Sequence, residues 1–304
     1  MSETRSQMRP EVVANCLSRR VLLLDGGIGS ELIRRGIASA HRLWGVGALL
    51  DTPDAVRDLH RDYAEVGSDW LTAATFRLAP YSLRRAALEQ RAPELATLAI
   101  RLLREGAAAA GRRVLAVASV TTLEDCYRPD LVPSDEVLER EHAATVELLA
   151  NAGADGLVLE TFNTVREAAI AARAAVRSEL PVIVSFACRA DGSLLSGEDP
   201  SQAARAVSLP GVVAIGVNCT SVDIVPGALH RLASGTTLPL AAWANNGWAA
   251  EDSPWLAAPR LGPEAFAAEA LGWIDAGARL VGGCCGTGPA EIAAVAKVIP
   301  GRTR

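Results

Sequence analysis

The sequence of 304 residues lacks the features that mark several common functional classes. Its net charge of −5 leaves no excess of basic residues for a nucleic-acid surface or an anionic membrane. No stretch approaches the roughly 18 consecutive apolar residues that a membrane-spanning helix requires. The start of the chain is polar and lacks the apolar centre of a secretory signal. We therefore expect a cytoplasmic protein whose partners are small molecules, with no nucleic acid and no membrane among them.

Lysine, histidine and clustered cysteine are also scarce. Lys297 is the one lysine among 30 basic residues and lies in a segment typical of a helix, so the chain lacks a lysine suited to Schiff-base chemistry. The four histidines are far apart and form neither the H-x-H nor the H-E-x-x-H pattern, which disfavours a histidine-based metal hydrolase. Six cysteines are scattered along the chain, unlike the dense disulfide frameworks of small secreted domains. This distribution favours reduced thiols that bind a metal or take part in catalysis.

Short apolar runs recur along the chain about 37 residues apart, which is the size of a strand–helix–strand unit. Each run is apolar at successive positions, as expected for a parallel strand that is buried on both faces. The eight predicted strands are 21–24, 70–74, 114–117, 156–159, 182–186, 212–217, 238–243 and 279–281. Helical periodicity fits six of the segments between or after them, namely 53–64, 135–152, 165–177, 200–207, 263–276 and 289–298.

This alternation predicts an α/β fold, a single (β/α)8 TIM barrel that spans residues 1–304 with its core at about 20–299. A doubly wound open sheet is the alternative. It is disfavoured because the segment DGGIGSEL after the first strand has Leu32 where a dinucleotide-binding motif has its third glycine.

In a barrel the chemistry lies at the C-terminal ends of the strands. In this sequence nearly every predicted strand ends in a polar or thiol side chain. These candidate site residues are Asp25, Thr75, Ser119, Glu160, Cys188, Asn218, Cys219, Asn245, Cys284 and Cys285.

Three of these cysteines predict a metal site. Strands six and eight have a single strand between them in a closed ring, so Cys219 can approach Cys284 and Cys285. Side chains of adjacent residues on a strand point in opposite directions, and we expect the glycines at 282, 283 and 286 to let the backbone turn so that both sulfurs face one side. Three thiolates that leave a fourth position open are typical of catalytic zinc.

Other interpretations of the cysteine trio are a vicinal disulfide, a set of small buried hydrophobic residues, and a phosphate-binding loop over GGCCGTG. The phosphate loop is disfavoured because two thiols would hinder the approach of backbone N–H groups. A zinc ion with three thiolates carries a net charge of −1, so it is a weak activator of water but a good binder of a further thiol. The predicted chemistry is therefore attack by a bound thiolate on an electrophilic carbon, and not hydrolysis.

The motifs around these residues resemble those of the homocysteine S-methyltransferases, from about residue 21 to residue 298. They are LLLDGGIGSELIRRG, LWGVGALLDTPDAV, GADGLVLETF, GVNCTS and GGCCGTGPAEI. The resemblance implies a zinc barrel that methylates L-homocysteine to methionine, with Zn2+ held by Cys219, Cys284 and Cys285 as the catalytic centre. It also implies that Asp25, Gly26 and Glu160 hold the amino acid.

These roles are chemically reasonable because carboxylates can pair with the α-ammonium group and glycine N–H groups can meet the α-carboxylate. Asn218 is expected to fix the loop beside the zinc cysteine. Thr75 and Asn245 are further candidates for the substrate site at the ends of strands two and seven.

The methyl donor is expected to be a sulfonium compound, S-methylmethionine ahead of S-adenosylmethionine. The folate route of the resembled family uses cobalamin in additional domains, for which 304 residues leave no room, and betaine users carry a longer C-terminal extension. Trp44, Phe76, Trp243 and Trp248 are candidates for cation–π contact with the donor. The residues 118–122 and Ala244 depart from the commoner pattern of the family on the donor side, and the divergent loop 118–133 has no assigned role.

Two other functions remain open at this point. The same barrel could methylate another thiol or selenol, such as selenocysteine, or use betaine as donor. A protein without enzyme activity that senses zinc or thiols on a barrel scaffold is the alternative from a different class.

Overall fold

The computed structural model describes residues 9–37, 45–247 and 260–302. Eight parallel strands form one sheet in the order β1-β8-β7-β6-β5-β4-β3-β2, so each strand from β2 to β8 lies beside its neighbour in sequence. This arrangement, with helices between the strands, confirms the predicted (β/α)8 barrel. The strands are β1 (Leu22–Leu23), β2 (Trp70–Ala73), β3 (Leu115–Val120), β4 (Gly156–Phe162), β5 (Val182–Phe186), β6 (Val212–Ser221), β7 (Leu240–Asn245) and β8 (Ala278–Gly283).

All six predicted helices are present, with ends within one residue of those expected. None of the helices in the described ranges combines the length and hydropathy needed to cross a bilayer. The helices are α1 (Pro10–Arg19), α2 (Ile28–Arg34), α3 (Gly45–Asp51), α4 (Pro53–Glu65), α5 (Pro80–Arg84), α6 (Ala92–Ala109), α7 (Asp135–Asn151), α8 (Val165–Val176), α9 (Pro200–Val207), α10 (Val225–Ala233), α11 (Pro263–Asp275) and α12 (Pro289–Val298).

Two apolar layers hold the barrel together. One lies between the strands and the surrounding helices, and the other fills the barrel interior with side chains such as Trp70, Val158 and Leu280. Helix α1 packs Val13 and Leu17 into the interior layer. Arg20, directly after α1, lies near Asp69, which precedes β2, so α1 lies at the end of the barrel opposite to the strand C-termini.

Side chains complete the seam between β1 and β2. Strand β1 has only two residues, and the backbone N–H of Asp69 donates to Leu23 O at 2.8 Å. The Asp69 carboxylate accepts from Leu23 N at 2.9 Å. Two residues after Leu23, Asp25 Oδ2 accepts a hydrogen bond from Thr72 N at 2.6 Å and so takes the place of a strand carbonyl. The seam therefore fixes the Asp25 carboxylate at the C-terminal face of the barrel.

The close packing of α4 against α6 gives a stability prediction. A Cβ atom on Gly106 would lie 2.5 Å from Arg57 O and 2.8 Å from Arg61 N, so the two helices would have to separate. We expect Gly106→Ala to lower the free energy of unfolding by about 1–2 kcal/mol, measured by urea denaturation. The control is Gly272→Ala in α11, an exposed helical position with no atom within 4 Å of the new Cβ. It should raise stability slightly through helix propensity, and equal effects of the two variants would contradict the packing explanation.

Candidate active site and metal centre

A cavity of about 1110 Å³ opens at the C-terminal ends of the strands, where barrel enzymes carry their chemistry. This volume exceeds that of a single small amino acid several times over and leaves room for two substrates side by side. Side chains from seven different strands or the loops that follow them line it. They include Asp25, Thr72, Phe76, Ser119, Tyr127, Glu160, Cys219, Trp243, Cys284 and Cys285.

The three predicted cysteines meet on the wall of this cavity. The Sγ atoms of Cys219, Cys284 and Cys285 all lie within 4.8 Å of one another, and those of Cys219 and Cys285 are 3.5 Å apart. Zinc–sulfur bonds of about 2.3 Å in a tetrahedron place sulfurs about 3.8 Å apart. All three cysteines are free thiols, so the vicinal disulfide is not formed. The donor set fits a soft metal ion such as zinc.

Cys219 faces the cavity because the backbone of β6 is irregular at this point. Cys219 has a φ of +48°, a left-handed backbone conformation that residues other than glycine rarely adopt. The register of β6 on β7 also shifts between Asn218 and Ser221. The sequence analysis ended this strand at residue 217 and did not predict the left-handed residue. Non-glycine residues in this conformation store local strain and concentrate at functional sites.

The loop after β8 carries Cys284 and Cys285. Cys284 N donates to Ala244 O, and Asn246 N donates to Cys285 O, each at 2.9 Å, so the end of β7 holds both cysteines. Gly286 has a φ of +78° and provides the expected turn.

The expectation for the glycines at 282 and 283 was wrong. Neither has a positive φ in the described structure. Glycine is required at both positions because a side chain would clash with its neighbours. A Cβ on Gly282 would lie 2.5 Å from Leu24 Cβ, and one on Gly283 would lie 2.2 Å from Thr287 Oγ1. Close packing of the end of β8 against β1 and the following loop therefore explains why residues 282 and 283 are glycines. The need for a positive φ explains only Gly286.

Glu160, at the end of β4, is a buried carboxylate with three hydrogen-bond donors. Ser119 Oγ donates to Oε1 at 2.5 Å, while Trp243 Nε1 and Asn218 Nδ2 reach Oε2 at 3.3 and 3.4 Å. Burial raises the pKa of Glu160 to about 7, although the bonds from Ser119 and Trp243 act in the opposite direction. The carboxylate is thus held in place but incompletely compensated for its loss of water.

Asp25 is a second buried carboxylate on the same cavity wall. It accepts from the backbone N–H of Thr72 and, at 3.2 Å, from its hydroxyl. Burial raises the pKa of Asp25 to about 8, the bonds from Thr72 lower it, and the charge of Glu160 raises it again. Two carboxylates that disfavour each other's charge form a site that a bound cation would stabilise.

The sequence is similar to that of known methyltransferases. The sequence model of the family described as homocysteine S-methyltransferase matches residues 22–299. The chain belongs to this family. It is 34% identical to the homocysteine S-methyltransferase of Escherichia coli (strain K12), over 90% of this chain and 94% of that protein. It is 28% identical to a selenocysteine Se-methyltransferase of Brassica oleracea var. italica, over 92% and 89% of the two chains.

Solved structures agree with the assignment. The crystal structure of the homocysteine methyltransferase MmuM from Escherichia coli in its metallated form has a TM-score of 0.80 and 30% identity, covering 92% of this chain and 97% of that one. The oxidized form of the same protein has the same TM-score at 29% identity. The resemblance to the homocysteine S-methyltransferases and the predicted enzyme class are thereby confirmed.

Three further candidate residues of this homocysteine S-methyltransferase are buried behind the cavity wall. Among the described residues, Thr75, Asn218 and Asn245 do not line the cavity. Asn218 Oδ1 accepts from Ser185 Oγ at 2.6 Å while its Nδ2 faces Glu160, and Thr75 Oγ1 accepts from Ser119 N at 2.7 Å. Asn245 is buried at the end of β7. These contacts position the groups that do reach the cavity.

Gly26 lies directly behind the cavity wall, while its neighbour Gly27 lines it. A Cβ on Gly26 would lie 2.8 Å from Tyr63 Oη and 2.9 Å from Thr287 Oγ1. The absence of a side chain at residue 26 therefore lets the β1 end approach the loop that carries the two adjacent cysteines.

Of the four aromatic candidates for donor contact, Phe76 and Trp243 line the cavity. The guanidinium carbon of Arg77 lies 5.6 Å from the centroid of the Phe76 ring. Trp44 and Trp248 lie outside the described residues.

The two remaining cysteines near the barrel mouth have the properties of ordinary thiols. Burial raises the pKa of Cys126 and of Cys188 to about 12. Neither belongs to the cysteine group that could hold a metal in the described part of the chain. Both observations agree with their interpretation as unreactive side chains.

Tyr127 is a site residue that the sequence analysis missed. Its hydroxyl donates to Cys219 Sγ at 3.3 Å, and the side chain lines the cavity. The residue comes from the divergent loop after β3, where neither periodicity nor a motif marks it. Its position next to Cys126, shortly after a strand that ends in the site, was the one available signal.

Proposed function

We propose that the protein transfers a methyl group from a sulfonium donor, S-methylmethionine or S-adenosylmethionine, to the sulfur of L-homocysteine, giving methionine. The convergence of three free cysteine sulfurs within 4.8 Å on the wall of a large cavity carries this proposal. Family membership and the metallated form of the MmuM relative support it.

Cys219, Cys284 and Cys285 are the proposed zinc ligands. A bound zinc ion would hold the homocysteine sulfur as a thiolate at neutral pH. Since the three cysteines must stay reduced to bind a metal, we also propose a reducing compartment, the cytoplasm, as the location.

Glu160 and Asp25 are the proposed partners of the α-ammonium group of homocysteine. Both are buried, both lie on the cavity wall, and burial raises the pKa of each, so a bound ammonium group would stabilise their charged forms. The backbone around Gly26, whose neighbour Gly27 lines the cavity, is the proposed partner of the α-carboxylate.

The proposed reaction is an in-line displacement. The homocysteine sulfur forms a bond to the methyl carbon, the bond from that carbon to the donor sulfur breaks, and its electron pair leaves with a neutral thioether. No general base is needed because the acceptor is already a thiolate, so the protein contributes mainly orientation. Phe76 and Trp243 line the cavity and can face the sulfonium through their rings.

Selenocysteine is a second candidate acceptor. The similarity to a Brassica oleracea selenocysteine Se-methyltransferase favours this candidate, at 28% identity. A panel of S-methylmethionine, S-adenosylmethionine, betaine and methyl-folate against homocysteine and selenocysteine, with detection of the methylated product, tests both. Methylation of neither acceptor by either sulfonium donor would contradict the proposed function.

Zinc content provides a direct check on the proposed metal. We expect about one zinc per chain in purified protein by elemental analysis, because the chain offers three thiolates in one group. Complete chelation should abolish methyl transfer, and added zinc should restore it. Full activity in the chelated protein would show that the metal has no role.

A further inference from the structure

The proposed reaction brings four thiolates close to one methyl donor. Three belong to Cys219, Cys284 and Cys285, whose sulfurs lie on the wall of the cavity that receives the donor. Methylation of a cysteine would turn a charged ligand into a neutral thioether and would damage the metal site. The protein therefore needs a feature that makes its own sulfurs poorer nucleophiles than the substrate sulfur.

The three cysteine sulfurs accept different numbers of hydrogen bonds from side-chain donors. Cys219 Sγ accepts from the Tyr127 hydroxyl at 3.3 Å. Asn218 Nδ2 approaches Cys284 Sγ only to 3.9 Å, and no side-chain nitrogen or oxygen donor reaches Cys285 Sγ among the described residues. A hydrogen bond stabilises a charged thiolate more than the neutral thioether that alkylation produces. Such a bond therefore raises the barrier to alkylation of the sulfur that accepts it.

The loop that carries Tyr127 is fastened at several points. Arg77 Nη1 donates to Glu124 O at 2.5 Å, the Tyr81 hydroxyl donates to Glu124 Oε1 at 2.6 Å, and Asn163 Nδ2 donates to Cys126 O at 2.9 Å. These contacts hold the backbone directly before Tyr127. The Tyr127 hydroxyl is thus placed on the sulfur before any substrate enters.

We propose that Tyr127 is a positioning residue that protects Cys219 from methylation. Its hydroxyl holds electron density on the Cys219 thiolate and so makes this sulfur a poorer nucleophile than a thiolate without such a donor. The inference rests on the proposed function because it assumes a sulfonium donor in this cavity. It assigns a role to the divergent loop 118–133.

Site-specific alkylation of the zinc-loaded full chain tests the proposal. Iodoacetamide alkylates a thiolate by displacing iodide, and peptide mass spectrometry gives the adduct at each cysteine. In Tyr127→Phe we expect the ratio of adduct at Cys219 to adduct at Cys284 and Cys285 to rise about three- to tenfold over wild type, the effect of one lost hydrogen bond. Tyr81→Phe is the matched control, because it removes a hydroxyl that donates to Glu124 of the same loop without touching a sulfur.

An unchanged ratio in Tyr127→Phe, or an equal rise in Tyr81→Phe, would overturn the proposal. Loss of zinc from Tyr127→Phe with equal labelling of all three cysteines would also overturn it. Incubation with S-methylmethionine in the absence of homocysteine gives a second readout, in which methyl adducts at Cys219 should accumulate faster in Tyr127→Phe. Failure of the wild type to produce methionine would reject the proposed function, while the iodoacetamide ratio would still report on the hydrogen bond.

Discussion

Replacing Cys285 with serine is expected to remove zinc and methyl transfer together. Serine has nearly the same size, but its hydroxyl does not ionise at neutral pH and is a poor ligand for a soft ion. The site would keep two thiolates, and we expect the zinc affinity to fall by about 1000-fold or more. Zinc per chain, measured by elemental analysis, and the rate of methionine formation should both fall to background.

Cys16→Ser is the matched control for this substitution. Cys16 is a half-buried thiol on α1, at the opposite end of the barrel, and it lies outside the cysteine group on the cavity wall. It should keep about one zinc per chain and wild-type activity. Retention of either zinc or transfer by Cys285→Ser would show that the three cysteines do not act as one metal centre.

The barrel could be predicted from sequence because its determinants are local and repeated. Apolar runs such as 182–186 are buried on both faces, and Val182–Phe186 forms a fully buried strand at the same residues. Helix ends were equally accessible, since Gly153 follows α7 with a φ of +91°, as a glycine after a helix C-terminus commonly does. Convergence of Cys219 with Cys284 and Cys285 was predicted from the strand order together with a turn at the glycines, of which Gly286 has the positive φ.

Other parts of the site depend on contacts between distant segments and leave no local pattern. The carboxylate of Asp25 is fixed by Thr72 at the β1–β2 seam, which arises because β1 is too short for a full ladder. Cys219 has its left-handed backbone where the register of β6 on β7 shifts, and no local sequence pattern marks that shift. Tyr127 reaches Cys219 across 92 residues of sequence, by way of a loop that Arg77 fastens.

The paired carboxylates connect stability to substrate binding. Glu160 has a pKa of about 7 and Asp25 of about 8 in the folded protein, both above their ordinary values. The folded state therefore binds more protons than the unfolded state between about pH 4 and 8, so ionisation of these groups costs stability as the pH rises through that window. A bound ammonium group would remove this cost. The protein thus keeps a destabilising pair of charges that its amino-acid substrate would compensate.

Glu160→Gln is expected to raise the KM for homocysteine by about 30- to 100-fold, with a smaller change in kcat. The amide keeps the shape of the side chain, since its oxygen can accept from Trp243 and its nitrogen can donate to the Ser119 hydroxyl. It removes the charge that would pair with the α-ammonium group, and a hydrogen bond to a charged partner contributes about 2–3 kcal/mol. Wild-type KM should also rise as the pH falls from 8 to 6, because the carboxylates become protonated, and Glu160→Gln should reduce this dependence.

Unfolding experiments separate this role from simple structural support. Without substrate, Glu160→Gln should be more stable than wild type at pH 8, by about 1–3 kcal/mol, because it removes a buried charge without a cationic partner. Glu141→Gln on α7 is the control, since Glu141 is also buried but pairs with Arg84 and Arg140 away from the cavity. It should lose stability and keep the wild-type KM. An unchanged KM in Glu160→Gln would remove Glu160 from the amino-acid site, and lower stability at pH 8 would show that its charge is already compensated in the free protein.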